Sequence, residues 1–306
     1  MKKIISVLTA GVLAFSLTAC SKKSDDSNTI KIAYLPITHS LAVLETADEL
    51  AAQTGLQVEL VKYGSWPELL DALNTGRVDG ASVLIELAMK SKEQGVGIKA
   101  VALGHKDGNV IITSPDIDSA EDLKGKTIAI PHRQSSHNIL LNDALASAGL
   151  TINDVNITEL APTEMPSALA GGQIDGYCVA EPFGAKAVSL GAGKVLFTSE
   201  ELWEDSLCCG LVLTDEFIEN RNEDARTFVE SYKQAGQNLT KEQAMKTATK
   251  YLNQEEDVLE LSLQWISYDE LEITEENYST LTEKVKAYGL SENPPSYADF
   301  VKNDFE

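Results

Sequence analysis

The feature that most constrains this chain is an internal repeat. Ala72-Leu73-x-x-Gly76-x-Val78-Asp79-Gly80-x-x-Val83 recurs 96 residues later as Ala168-Leu169-x-x-Gly172-x-Ile174-Asp175-Gly176-x-x-Val179. The same offset sets Ile32-Ala33 against Ile128-Ala129, Ser40 against Ser136, and Leu44 against Leu140. A repeat of this length calls for two units built alike. In each copy a helix ends on glycine, an Asp-Gly turn follows, and a strand begins. If the copies face each other, both of these strands aim their C-terminal ends at one cleft. Open α/β sheets bind ligands at that edge and between domains.

Strands alternating with helices predict a mostly parallel sheet with covered faces in each unit. In the first unit, strands are expected over 29–35, 56–61, 78–84, 98–103 and 110–112. Helices are expected from Leu41 to about Gln53, from Ser65 to Asn74, and up to about Glu93. Ser65 is a natural cap and Pro67 fits a first turn. Ser114-Pro115 marks the expected crossover. The second unit predicts strands at 127–130, 156–160, 174–179 and 194–197, with helices at 139–148, 164–170 and 185–190. Leu207 to Leu213 is a strand that returns the chain to the first unit, and from Asp215 onward the pattern is helical. The expected division is therefore 30–114 plus 207–306 for one lobe, including the C-terminal helices, and 115–206 for the other.

Lys126 to Leu150 concentrates polar groups where a ligand would sit. Thr127-Ile128-Ala129-Ile130 is a short apolar strand, and Ile139, Leu140, Leu141, Ala144, Leu145 and Ala148 have helical spacing. Between them lies Pro131-His132-Arg133-Gln134-Ser135-Ser136-His137. A polar loop entering a helix N-terminus offers free N–H groups and the positive end of the helix dipole. His132, Ser135, Ser136 and His137 are therefore candidate ligand contacts, with helix capping by a serine as the plainer alternative. Thr38-His39-Ser40 is the equivalent entry in the first unit. Trp66 in its loop, Ser82 in the third strand, His105 after the fourth strand and Glu181 after strand 174–179 complete the candidate set. Glu181 could recognise a donor or cap the next helix.

The N-terminus carries a different signal. Met1-Lys2-Lys3 is followed by an apolar run, Ile4 to Leu17, too short to span a bilayer comfortably. Leu17-Thr18-Ala19-Cys20 then looks like a bacterial lipobox, whose cysteine is acylated and becomes the first mature residue. Residues 1–19 are read as a lipoprotein signal peptide, Cys20 as the lipidation site, and 20–29 as a flexible tether. The formal net charge of −22 disfavours nucleic acid and anionic lipid surfaces as partners. Cys178, Cys208 and Cys209 remain after lipidation. Their expected role is as small buried hydrophobes, with Cys208 and Cys209 on opposite faces of a strand.

P-loop, GxGxxG, Gly-x-Ser-x-Gly and HExxH motifs are absent from the sequence, and no close Cys/His quartet suggests zinc. No metal, cofactor or catalytic residue is expected on this basis.

Three segments carry a family resemblance. They are Trp66-Pro67-x-Leu69 through Gly76-x-Val78-Asp79-Gly80-Ala81, Pro131 to Leu140, and Met165-x-x-Ala168-Leu169 through Asp175-Gly176-Tyr177-Cys178-Val179-x-Glu181-Pro182-Phe183. Together they resemble the substrate-binding lipoproteins of ABC importers, in the nitrate/sulfonate/taurine/bicarbonate group. The resemblance implies a two-lobe periplasmic-binding-protein-like α/β fold with an interlobe cleft and a helical C-terminal part. It also implies a non-enzymatic monomer, held on the extracytoplasmic face of the membrane by its lipid. Such a protein delivers a nitrate-, sulfonate- or bicarbonate-type anion to a permease with its ATPase. In the nitrate and bicarbonate branch the motif tryptophan and a Ser/Thr-His pair face the anion, matching Trp66 and Ser136-His137. The chain is also similar to pyrimidine-precursor binders of thiamine salvage. Cys208-Cys209-Gly210 is a shortened echo of the cysteine cluster in eukaryotic thiamine-pyrimidine synthases. These imply an aromatic heterocycle as the alternative ligand and, at a further remove, an enzyme on the same fold.

Overall fold

The computed structural model describes residues 28–305. The leader, Cys20 and most of the tether lie outside them. Five strands form the first sheet, in the order β2-β1-β3-β11-β4. These are β1 (Thr29–Tyr34), β2 (Gln57–Lys62), β3 (Gly80–Leu84), β4 (Ile98–Leu103) and β11 (Cys209–Thr214). β6 (Asn109–Thr113), β7 (Thr127–Ile130), β8 (Asn156–Glu159), β9 (Gly176–Ala180) and β10 (Lys194–Thr198) form the second, in the order β10-β6-β9-β7-β8. A short ribbon joins β5 (Lys106–Asp107) to β12 (Ile266–Ser267).

The two sheets share one plan. Each has three parallel strands, then one antiparallel strand beside the third. The repeat is visible bond by bond. The Asp79 carboxylate accepts the Lys31 backbone N–H at 2.7 Å, and the Asp175 carboxylate accepts that of Thr127 at 2.8 Å. Each aspartate thus ties the turn before the third strand to the start of the first. The glycine that follows lets the antiparallel neighbour approach. A Cβ on Gly80 would lie 2.7 Å from the Val212 carbonyl oxygen, and one on Gly176 2.8 Å from that of Ile112. The Asp-Gly of both copies is structural.

The expected lobe boundary at 114/115 requires correction. Residues 110–112 pair with β9 and β10 in the second sheet, so the chain crosses between β4 and β6, through Gly104–Gly108. Ser114-Pro115 punctuates the turn after β6. The return passes from β10 through helix Ser199–Leu202 to β11. The C-terminal helices belong to both lobes. Arg221 donates to the Thr29 carbonyl at 2.7 Å in the first lobe, whereas Lys284 reaches Asp143 of the second at 2.8 Å. No helix among the described residues is long and apolar enough to cross a membrane.

Candidate functional site

The site is assembled where the two crossovers pass between the sheets. Helix Leu41–Thr54 is entered through Thr38-His39-Ser40, all buried. His105 follows β4 within the first crossover. Cys208 precedes β11 at the end of the second, and Cys209 opens that strand. From the second lobe come Asn109, Ser136, His137 and Glu181, each fully buried. The lobes are latched together here: the Thr38 N–H and hydroxyl both donate to the Glu181 carbonyl, at 2.9 and 3.0 Å. Tyr268 donates to the Thr38 carbonyl at 2.9 Å from the C-terminal segment.

At the centre, His39 Nδ1 lies 3.6 Å from both Cys208 Sγ and Cys209 Sγ, and the two sulfurs are 3.9 Å apart. His39 Nε2 is 2.9 Å from the Gly108 carbonyl oxygen. A carbonyl can only accept, so Nε2 carries the proton and the Nδ1 lone pair faces the sulfurs. The His105 ring stacks on His39 with centroids 3.6 Å apart, and its Nε2 accepts the Cys209 N–H at 3.4 Å. One donor atom from each of His39, His105, Cys208 and Cys209 falls within 4.8 Å of the others.

The electrostatics of this knot are uneven. Burial pushes the Cys208 thiol up, but hydrogen bonding with Cys209 and with His105 outweighs it. The net result is a thiol held well below its ordinary value. Cys209 goes the other way, raised by burial and then by Cys208. Burial lowers both His105 and His137 to about 4, so both imidazoles are neutral at neutral pH. Glu86, at the start of helix Ile85–Glu93, is raised well above the ordinary carboxyl range by burial and then by Cys208.

Several of these groups are buried without a hydrogen-bond partner: both carboxylate oxygens of Glu86, His105 Nδ1, Asn109 Nδ2, Ser136 Oγ, and both ring nitrogens of His137. Buried polar atoms are rarely left unpaired. Their concentration in the buried region where the two lobes meet marks a place built to receive something. No lysine or arginine is buried among the described residues.

The remaining candidates resolve individually. Ser135 does not cap its helix; its hydroxyl donates to the His132 carbonyl at 2.6 Å. Half-buried His132 accepts the Gln134 N–H through Nδ1 at 3.0 Å. Arg133 is exposed and bonds the Ile157 carbonyl, away from the cleft. Ser40 donates to the Leu35 carbonyl and to Ser82 Oγ, so both hydroxyls brace the first lobe. Trp66 is buried within the first helix turn of Trp66–Asn74, its indole N–H unpaired. Glu181 adopts the capping role, accepting the Ala185 N–H at 3.0 Å, and burial raises its carboxyl to about 8.

Cys208 and Cys209 depart from expectation. They do not point to opposite faces of a strand, because β11 starts at Cys209 and the two-residue alternation does not extend back to Cys208. Both thiols are free and turn to the same imidazole. Glu86 and Asn109 were not among the sequence candidates at all. Each sits one or two residues past an element boundary, with no local motif around it.

Residues 23–253 match the NMT1-like family, and the chain is a member of it. A ligand-binding component of an ABC-type import system from Staphylococcus aureus, solved with zinc bound, is 41% identical. It superposes with a TM-score of 0.87 over 91% of this chain and 97% of that one. The putative aliphatic sulfonates-binding protein of Escherichia coli is 27% identical, over 66% of this chain and 64% of its own length. The bicarbonate transport ATP-binding protein CmpC of a Synechocystis strain is 29% identical over 61% of this chain. The match spans about a third of CmpC, or 32% of its length.

Proposed function

We propose that this chain is the solute-binding component of an ABC importer, which captures a small solute between its two lobes and presents it to a permease driven by an ATPase. The observation that carries this reading is the row of unpaired buried donors and acceptors on both cleft walls, with Glu86 and His105 on one side and Asn109, Ser136 and His137 on the other. A solute that satisfies both walls favours the closed arrangement, which is what a capture device requires. The family membership and the import-system relatives support it.

The nitrate-, sulfonate- or bicarbonate-type anion implied by the relatives would be held by neutral donors and by the N-terminus of helix Ser136–Ser147, since no buried lysine or arginine is present among the described residues. An aromatic heterocycle is the alternative. The protein acts outside the cytoplasm as a monomer, tethered through an acylated Cys20 after removal of residues 1–19. It carries out no chemistry on its solute.

The test is calorimetry of the purified chain against nitrate, bicarbonate, taurine, alkanesulfonates and pyrimidines, with product analysis of each mixture. Saturable binding of one solute per chain without product supports the carrier. Formation of product from the bound solute overturns it.

A further inference from the structure

We propose that His39, His105, Cys208 and Cys209 form a binding site for one borderline-soft divalent metal ion of the zinc type, set where the two crossovers meet.

The distances are those of a tetrahedral zinc site. Zinc–sulfur bonds near 2.3 Å and zinc–nitrogen bonds near 2.05 Å, set on a tetrahedron, put two sulfurs about 3.8 Å apart and a sulfur and a nitrogen about 3.6 Å apart. The chain places its sulfurs 3.9 Å apart and His39 Nδ1 3.6 Å from each. Three edges of the tetrahedron are therefore already formed, and His105 supplies a nitrogen within 4.8 Å of the rest for the fourth corner.

The surroundings are those of a ligand set. A metal-bound imidazole characteristically donates its far N–H to a carbonyl or carboxylate, which fixes the ring and its tautomer. His39 makes that bond to Gly108. A thiolate and a neutral imidazole are the forms that bind metal. Two thiols and two imidazoles select zinc-like ions over magnesium or calcium, which take oxygen ligands. No buried lysine or arginine lies among the described residues to repel a cation there.

The placement gives the ion its role. His105 lies on one crossover and Cys208 on the other, so an ion here ties both hinges to His39. His137, on the second lobe, is buried with both ring nitrogens unpaired. This role rests on the carrier reading, whereas the binding site itself does not.

The experiment uses the mature chain, stripped with a chelator under a non-thiol reductant and then titrated with zinc chloride or cobalt(II) chloride. One zinc per chain is expected. Zinc-edge X-ray absorption of the unaltered protein should report two sulfur and two nitrogen neighbours. Cobalt should give a thiolate charge-transfer band that weakens in Cys208→Ser and in Cys209→Ser. Loss of an outer-shell partner alone costs about 10- to 100-fold in metal affinity, so Cys208→Ser or His39→Ala should cost on the order of 100-fold or more. Zinc surrounded only by nitrogen and oxygen, or no stoichiometric zinc at all, overturns the proposal without needing a variant. An organic solute captured with the four side chains free of metal overturns the metal site and leaves the carrier standing. Zinc bound through two sulfurs, together with turnover of a solute, supports the site and overturns the carrier.

Discussion

Glu181→Gln should flatten part of the pH dependence of stability. The carboxyl is fully buried, accepts the Ala185 N–H at 3.0 Å, and is raised by burial from 4.5 to about 8. Below pH 4.5 the residue is protonated in both folded and unfolded states and contributes no slope. Between 4.5 and about 8 the unfolded chain gives up this proton while the folded chain keeps it. The unfolded state is thereby favoured increasingly as pH rises. Above about 8 both states are ionised and the penalty levels off. Each pKa unit of separation is worth about 1.36 kcal/mol, so the full penalty is a few kcal/mol. Glutamine keeps a carbonyl oxygen for Ala185 and has no proton to lose. Urea unfolding of both proteins at pH 4.5, 6 and 8 gives the comparison, with all other titrating groups common to the two. The variant should match the parent near pH 4.5 and exceed it by roughly 2–5 kcal/mol at pH 8. A stability difference that does not grow with pH would refute the assignment of a neutral buried carboxyl.

Other perturbations have equally definite outcomes. Gly80→Ala and Gly176→Ala should each destabilise by about 1–3 kcal/mol in thermal unfolding, because the new methyl meets a carbonyl oxygen of the adjacent strand. Thr38→Val keeps the volume and removes the hydroxyl half of the latch to Glu181. It should favour the open form by about 0.5–1.5 kcal/mol, read as a larger radius of gyration in solution scattering. Cys20→Ser should move the protein from the membrane fraction to the soluble fraction with solute binding intact.

The fold was largely legible because its signals are local. Apolar runs, terminating glycines and the 96-residue repeat mark strands and helices within a few residues of where they lie. The lobe boundary was misplaced because β6 is an ordinary apolar strand whose neighbours are chosen by tertiary pairing, and nothing in residues 109–113 says which sheet it joins. The site was legible only where it coincides with a helix entry, as at Thr38-His39-Ser40 and Ser135-Ser136-His137. The Cys/His knot draws on three segments separated by more than sixty residues each, so no spacing motif announces it. Adjacent cysteines that look like strand residues meet one imidazole because the strand begins between them.

The central claim is that the buried polar walls enclose a single small occupant. Native mass spectrometry of the full chain purified without chelator, beside the same sample denatured, tests it most directly. The account predicts one small solute per chain, released on denaturation and bound at least tenfold more weakly in His137→Ala, since a hydrogen bond to a charged group is worth about 1.5–3 kcal/mol. A solute retained undiminished by His137→Ala, or one converted to a different mass while bound, would contradict it.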